Sequence, residues 1–444
     1  MKTQKGILLS LFLSISIIGQ SQISKTISCT AGNLDALLGG SKTVVTNLTI
    51  TGSIDARDFK CMSTIMTSLL DLDISAVTIK SYTGSGGTHV DYNNVYLANE
   101  IPDYAFQTNS PSILRSIILP NSLTSIGVCA FWSHNELLSI IIPSSVISIG
   151  QQAFSGTSIS SINLPNGLIT IGWGAFSGCK IDNVTIPNTV TSFGANIGFE
   201  YGNHTGVFSN CTKLVSVTIP NSITSIPEKT FLNCTALKNV TIPNSVTYIN
   251  YNAFESCSSL TDIIIPNSIT SIGSSAFLNC TGLKSIVIGS NVSKIWDLAF
   301  DGCTGLSSIT VSRKTPLDFT NYPNVFRGVN KSTCILYVPV GTKSDYQTNV
   351  VWMDFKNIIE STTGISSPTM PSITFSPNPT TDSFTLNGLE ELATVLLMDL
   401  NGKVLLTKQV NNNETVSVKG LLKGIYIAKV STSKGTIQQK LIKQ

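Results

Sequence analysis

Apolar and polar residues alternate in short runs that stop at a proline. Before Pro220, Val217 and Ile219 are apolar while Ser216 and Thr218 are polar; before Pro266, Ile263 and Ile265 are apolar beside polar Asp262, with Ile264 as an exception. A period of two predicts a strand with one buried face, and proline, which lacks the ladder N–H, ends it. A second apolar pair, such as Ile223 and Ile226, predicts another brief strand. In "SSAFLNC", Ala276 and Cys280 stand four apart with Phe277 between them, which predicts one helical turn directing all three inward. The unit is therefore strand, turn, strand and helical turn.

This unit recurs. Pro120, Pro143, Pro165, Pro187, Pro220, Pro243 and Pro266 share one column, Gly289 takes the eighth place, and the spacings are 23, 22, 22, 33, 23, 23 and 23 residues. Eleven residues past most anchors stands a phenylalanine: Phe131, Phe154, Phe176, Phe231, Phe254, Phe277 and Phe300. The fourth copy reaches Phe208 after ten extra residues, Phe106 belongs to a shorter opening copy and Phe326 to a degraded closing one. Such a period marks a solenoid, because one coil cannot bury its own apolar side and must stack on a neighbour. The expected fold is mostly β: a solenoid of about nine coils spaced roughly 4.8 Å apart, then a small C-terminal β-sandwich. Phe and Ile form its interior columns. Thr185, Thr218 and Thr241 form an outward ladder that reads either as a binding face or as an ordinary solvated β-surface.

Charged residues are only 12% of the chain and the formal net charge is +3, all of it contributed by the residues from Pro371 onward. Without a basic stripe, nucleic-acid partners lose their main driving term. Lys2 and Lys5 precede an apolar run from Ile7 to Ile18, with small Gly19 and Ser21 behind it, which predicts a secretory leader over residues 1–21 and a mature start near Gln22. The run is too short to span a bilayer stably, and no transmembrane span is expected in the mature protein.

Ten cysteines in an exported chain invite a disulfide reading. Six of them, Cys179, Cys211, Cys234, Cys257, Cys280 and Cys303, fall three residues after the repeat Phe, where other copies carry His134 and Thr157. Side chains stacked in one column run parallel, a poor geometry for S–S bonds, so reduced, packed thiols are expected. Metal binding is disfavoured because structural zinc takes clustered ligands at short spacing, and no metal or cofactor is expected. For Cys29, Cys61, Cys129 and Cys334 the spacing gives no pairing.

Chemical variety gathers in the fourth copy's insertion, "ANIGFEYGNHTG", where Phe199, Tyr201 and His204 are candidate contact residues. A polar excursion from Ser81 to Glu100 carries His89, and its glycines do not stand between a strand and a helix as phosphate loops require. With three histidines and no GxSxG, HExxH or P-loop pattern, no enzyme is predicted. Asp71 and Asp73 lie two apart on a predicted strand, and the repeat register alone explains them.

The columns of "IPNSVTSIGxxAFxxCxxLxxI" resemble the BspA-like, or treponemal-type, leucine-rich repeats over about residues 95–335. Residues 22–94 are similar to the divergent leading repeats of that family. Residues 336–360 resemble its closing segment, with Ser344 to Phe355 expected as a helix over the last coil. After a linker at 361–372, residues 373–444 show alternating short runs separated by turn residues such as Asn401-Gly402 and Lys423-Gly424, which predict six or seven strands. Pro377, Asn378, Pro379, Gly402, Gly424, Tyr426 and Lys440 carry a resemblance to the C-terminal sorting domain of type IX secretion. That resemblance implies export in two steps in a Gram-negative bacterium, recognition of the tail by the secretion machinery, and its removal in the linker. The expected function is an adhesin-like surface or secreted protein binding an extracellular protein or polysaccharide; the alternative is a structural surface scaffold without a specific ligand.

Overall fold

A computed structural model describes residues 22–88, 95–107, 113–194, 205–361, 373–389, 391–398, 404–432 and 435–444. The predicted leader at 1–21 lies outside the described residues. The contacts divide the chain into two compact units, one reaching Ser222 and including Lys229–Cys234, the other formed by Ile223–Glu228 with Thr235–Gln444. Up to Ser361 the fold is a β-solenoid, and the chain makes about 14 turns rather than nine. The additional turns are strands at the ends: Ser24–Cys29, Asn47–Ile54 and Asp71–Ile79 at one end, Ile335–Pro339 and Asn357–Ser361 at the other, of which only Ile335–Pro339 ends in a proline.

Most coils have their predicted first strand, in parallel register with a neighbour. Asp262–Ile265 pairs with Ser285–Ile288, which pairs with Ser308–Val311. Within it Ile263 and Ile265 are buried and Asp262 and Ile264 exposed, as a two-residue period requires. Residues 139–142 and 161–164 keep that alternation without ladder pairing. After the anchor proline a tight turn returns the chain, with the Ile269 N–H donating to the Pro266 carbonyl at 3.1 Å. The second strands are two residues long and form their own parallel ladders, Ile126–Ile149–Ile171–Phe193 in the first unit and Ile226–Ile249–Ile272–Ile295 in the second.

The predicted helical turn is absent. In its place the N–H groups around Phe277 alternate between two kinds of partner. Those of Leu278 and Cys280 donate three residues back, to Ser275 and Phe277, while those of Phe277 and Asn279 donate to the carbonyls of Ala299 and Asp301 on the next coil. A helix would direct all its interior N–H groups along its own axis; here half of them bind coil to coil. The arrangement needs two left-handed residues per coil, Ser275 at φ 56° and Asn279 at φ 58°, which explains the Asn, Gly and Ser at the second place past the phenylalanine.

The phenylalanines form a stack in each unit. Ring centroids from Phe131 through Phe154, Phe176 and Phe208 to Phe231 are 5.3–5.9 Å apart, and those from Phe254 through Phe277 and Phe300 to Phe326 are 5.1–5.5 Å apart, with planes within 9° of parallel. Phe208 keeps its place, so the insertion leaves the core register intact. The stacks end on edges. Phe59 meets Phe106 at 83°, and Phe355 meets Phe326 at 84° beside the buried indole of Trp352, whose Nε1–H donates to the Leu317 carbonyl at 3.0 Å. The closing helix predicted over Ser344 to Phe355 breaks into Lys343–Thr348 and a 3-10 turn Trp352–Asp354, because Val351 between them adopts φ 72°. At the coil corner the glycines allow close stacking: a Cβ on Gly150 would come within 2.6 Å of the Gly127 backbone, and one on Gly273 within 2.5 Å of the Tyr251 nitrogen.

All ten cysteines are buried and none forms a disulfide. They also do more than fill space. Sγ of Cys179, Cys211, Cys234, Cys280 and Cys303 each donates, at 3.0–3.2 Å, to the carbonyl of the repeat phenylalanine one coil earlier. Burial pushes these thiols up, Cys179 to about 11 and Cys234 and Cys303 to about 12. His134 takes the same place in its coil, buried against the edges of Phe106 and Phe131, with Nδ1 3.1 Å from the Trp132 carbonyl; burial lowers its pKa.

Residues 373–444 form two antiparallel sheets. One joins Thr374–Ser376, Ser383–Asn387 and Thr415–Ser417; the other joins Val404–Val410, Ala393–Met398, Gly424–Thr432 and Gly435–Lys443. Phe375, Phe384, Leu386, Val395, Leu397, Val416, Val430 and Leu441 share their core.

Three outcomes follow from this packing. Phe277→Ala removes one ring from the middle of a stack and is expected to destabilise the second unit by about 3–5 kcal/mol, read as a lower melting temperature of the full chain, whereas Ile264→Ala on the outer face shifts it little. All ten thiols are expected to resist a thiol-specific chromogenic reagent at pH 8 in the folded chain and to react after denaturation. Because folding depresses the His134 pKa, acid protonates the unfolded chain first, so stability falls as pH drops below the ordinary histidine value of about 6.5. His134→Cys, the repeat's own choice, is expected to flatten that part of the stability–pH curve.

Candidate functional site

The repeat fixes which positions face outward, and these form columns across the coils. Two residues before the anchor, Thr185 and Thr218 pair in register in the first unit, both exposed. Among the described residues neither hydroxyl has a partner. Beside them the Ser216 hydroxyl donates to the Asn183 side chain at 2.6 Å. Thr241 is exposed at the equivalent place in the second unit. The insertion candidates Phe199, Tyr201 and His204 lie outside the described residues, as does His89.

The same column is apolar elsewhere. Ile118 and Ile141 occupy it in the first unit, Ile141 with 86% of its surface in solvent, and Leu138 is exposed three residues before Ile141. In the second unit Ile264, Val287, Thr310, Tyr337 and Ile359 are paired in direct register across five strands, with Ile264 and Ile359 exposed. The expected hydroxyl ladder of Thr185, Thr218 and Thr241 is thus one stretch of a column that is largely apolar elsewhere. The exception at Ile264, already visible in the alternation, was the signal for the rest.

A second row of hydroxyls is committed to the fold. Thr247, Thr270 and Ser293 each donate to the carbonyl of the matching residue one coil earlier, at 3.1–3.2 Å. The remaining candidates for chemistry are absorbed in the same way. The Ser116 hydroxyl donates to Asp71 at 2.6 Å, Asp73 accepts the Ser75 N–H, and His134 is buried. Among the described residues no group of three or more His, Cys, Asp or Glu is placed to hold a metal ion.

One surface cluster has no counterpart in the sequence reading. Lys294 holds its ammonium 3.5 Å from the centre of the Trp296 ring and 5.9 Å from that of Tyr322, and the two rings lie 5.5 Å apart at 52°.

In the tail, the Asn378 side chain accepts the Ile442 N–H at 2.9 Å, tying the start of the sandwich to its last strand. Tyr426 is buried and its hydroxyl donates to the Leu422 carbonyl at 2.6 Å. Pro377 and Pro379 are exposed, Gly424 opens a nine-residue strand, and Lys440 pairs through its backbone with Ile427. Gly402 lies outside the described residues.

Comparison with known proteins places both parts. Residues 88–205 and 203–321 match the BspA type leucine rich repeat region, in six copies, and residues 374–444 match the secretion system C-terminal sorting domain. Similar solved structures include a leucine-rich repeat protein from Bacteroides ovatus, 26% identical, with 63% of this chain and 65% of that one covered and a TM-score of 0.45. This chain therefore spans just under two thirds of that protein. A leucine rich cell surface protein from Faecalibacterium prausnitzii is 23% identical over 77% of this chain and 84% of that one, with a TM-score of 0.37. The pneumococcal vaccine antigen PcpA is 16% identical over 78% and 90%, with a TM-score of 0.34. No curated protein matches the chain by sequence. Among the described residues no helix is long and apolar enough to cross a membrane. The sorting domain marks a secreted or cell-surface protein of a Gram-negative bacterium. With its repeats matched over more than half its length, the chain belongs to the BspA-type leucine-rich-repeat proteins and carries a type IX sorting tail.

Proposed function

We propose that this protein, once exported, binds an extracellular protein or polysaccharide through the outward strand faces of its solenoid and acts as an adhesin. The observation that carries this reading is the outer column itself. A coil needs only polar cover there, yet Ile141, Ile118, Ile264 and Ile359 present large apolar side chains to water in a protein already furnished with interior columns for them. The Thr185–Thr218 pair supplies unengaged hydroxyls in the same column, and the insertion bearing Phe199, Tyr201 and His204 supplies a second contact region. A scaffold role without a ligand is the other reading, favoured by the Thr247–Thr270–Ser293 row, whose hydroxyls serve coil-to-coil bonding. The tail directs the chain to the type IX machinery and is removed within residues 361–372; the boundaries at 22–94, 95–335 and 336–360 separate leading repeats, regular repeats and closing cap.

Binding of the full chain to immobilised extracellular-matrix proteins and cell-wall polysaccharides tests the proposal. The double substitution Ile141→Lys, Ile264→Lys is expected to weaken binding at least tenfold with the melting temperature retained, and deletion of 195–206 to weaken it further. Loss of neither affinity, or no binding to any surface, would leave the scaffold role. For the tail, Asn378→Ala, which strips the Ile442 N–H of its acceptor, is expected to lower the amount of protein reaching the medium or cell surface, measured by cell fractionation.

A further inference from the structure

The corner of the coil, four residues before the core phenylalanine, is held by Gly150 before Phe154 and by Gly273 before Phe277. On two adjacent coils of the second unit that place passes to Trp296, before Phe300, and Tyr322, before Phe326. Neither ring is swallowed by the core: both are only partly buried, while Lys294 beside them is exposed. Among the described residues the indole N–H, the Tyr322 hydroxyl and the Lys294 ammonium have no hydrogen-bonding partner or ion-pair carboxylate. By contrast Lys42, Lys331 and Lys408 each face one, at 2.5–2.9 Å. Two coils before Trp296, and one residue past the same corner, stands Tyr251 with 43% of its surface exposed. The coil spacing puts it roughly 10 Å along the stack from Trp296, with side-chain-free Gly273 on the coil between.

We propose that this edge of the second unit, built on Trp296, Tyr322 and Lys294 and extended to Tyr251, is a carbohydrate-binding site. The inference rests on the binding reading above and narrows its ligand to a polysaccharide. Two partly exposed rings offer apolar faces, and their polar tips together with the ammonium offer three unengaged donors around those faces. A sugar ring has the complementary form, with a C–H face for the aromatic ring and hydroxyl oxygens at its rim to accept from the indole N–H, the phenol and Lys294. An apolar peptide segment offers those donors only its main-chain carbonyls, where a sugar offers a hydroxyl at nearly every ring carbon, and a nucleic acid requires more cations than this one. A run of about 10 Å between Tyr251 and Trp296 suits an extended chain of sugars better than a single residue. Lys294 rests over the indole in the free protein; because it is exposed and flexible, a sugar displaces it toward the rim.

The test uses the full chain with soluble β-1,3-glucan, yeast mannan and polygalacturonate as probes, and casein as a polypeptide control. Affinity is read by titration calorimetry and tryptophan fluorescence. At least one polysaccharide is expected to bind and to perturb fluorescence. Trp296→Ala and Tyr322→Ala are each expected to weaken that binding at least tenfold, and Lys294→Met about threefold. Trp132→Ala, which removes an exposed tryptophan from the other unit, is expected to leave it unchanged. Trp296→Phe, which keeps a ring and loses the N–H, should fall between, and covers the case in which the alanine variant folds poorly by circular dichroism. Unchanged polysaccharide affinity in folded Trp296→Ala overturns the site and leaves the adhesin reading standing. Binding to matrix proteins with no polysaccharide binding does the same. Failure to bind any of them overturns both.

Discussion

Parallel backbone pairing fixes the distance between coils at about 4.8 Å, and that spacing dictates what every interior position can be. A column repeating at this interval accepts stacked flat rings, small thiols, branched aliphatics or nothing at all. The phenylalanine rings lie parallel with centroids 5.1–5.9 Å apart, within the range that offset-stacked rings favour, so one ring per coil fits the spacing. Where backbone approaches backbone, at Gly150 and Gly273, even a methyl group is excluded. The turn around Phe277 belongs to the same constraint. A helical turn would withdraw its N–H groups from the neighbour, whereas alternating turns give half of them to the next coil and convert the loop into a third ladder.

The thiol column shows how finely the spacing selects. The phenylalanine carbonyl already accepts one N–H from its own coil, as Phe277 does from Cys280, and the S–H of the following coil supplies a second donor, as Cys303 does to Phe277. A hydroxyl could donate as well but is smaller and more costly to bury, and an alkyl group donates nothing. Thr157 and His134 show the position tolerating other donors: Thr157 bonds with Cys179 Sγ at 3.3 Å, and His134 lies against Trp132's carbonyl. The sequence showed cysteines in a column and so argued against disulfides. It could not show the hydrogen bond, because the acceptor is main chain from another coil.

What was legible follows from the same logic. Strands, anchors and the ring column recur, so Phe208 could be assigned across a ten-residue insertion and found in its stack. The coil number was underread because the end coils spend their columns differently. Ser24–Cys29, Asn47–Ile54, Asp71–Ile79 and Asn357–Ser361 lack the terminal proline that made interior coils countable. The four-residue spacing of Ala276 and Cys280 misled for a physical reason: two consecutive tight turns and one helical turn direct the same residues inward. On the candidate faces, Thr185, Thr218 and Thr241 were legible as outward. The Lys294, Trp296 and Tyr322 grouping was not, because Tyr322 lies in the degraded copy whose alignment depends on Phe326 rather than on a proline.

Division of labour within the coil has a consequence for function. Residues facing inward serve a spacing that tolerates almost no variation, and those in the second hydroxyl row are tied into the stack. Among the described residues two sets stand out as free to vary: the column two residues before the anchor and the corners where a coil can give up glycine. Ile141 and Ile264 arise in the first set and Trp296 and Tyr322 in the second, each without disturbing the adjacent ring stack. Replacing a glycine at the corner requires the coil to open locally, and the cost is smallest near a stack's end, where a neighbouring coil is already irregular. Trp296 sits one coil from the degraded copy that ends at Phe326, so the corner glycine is given up where the repeat is least strict.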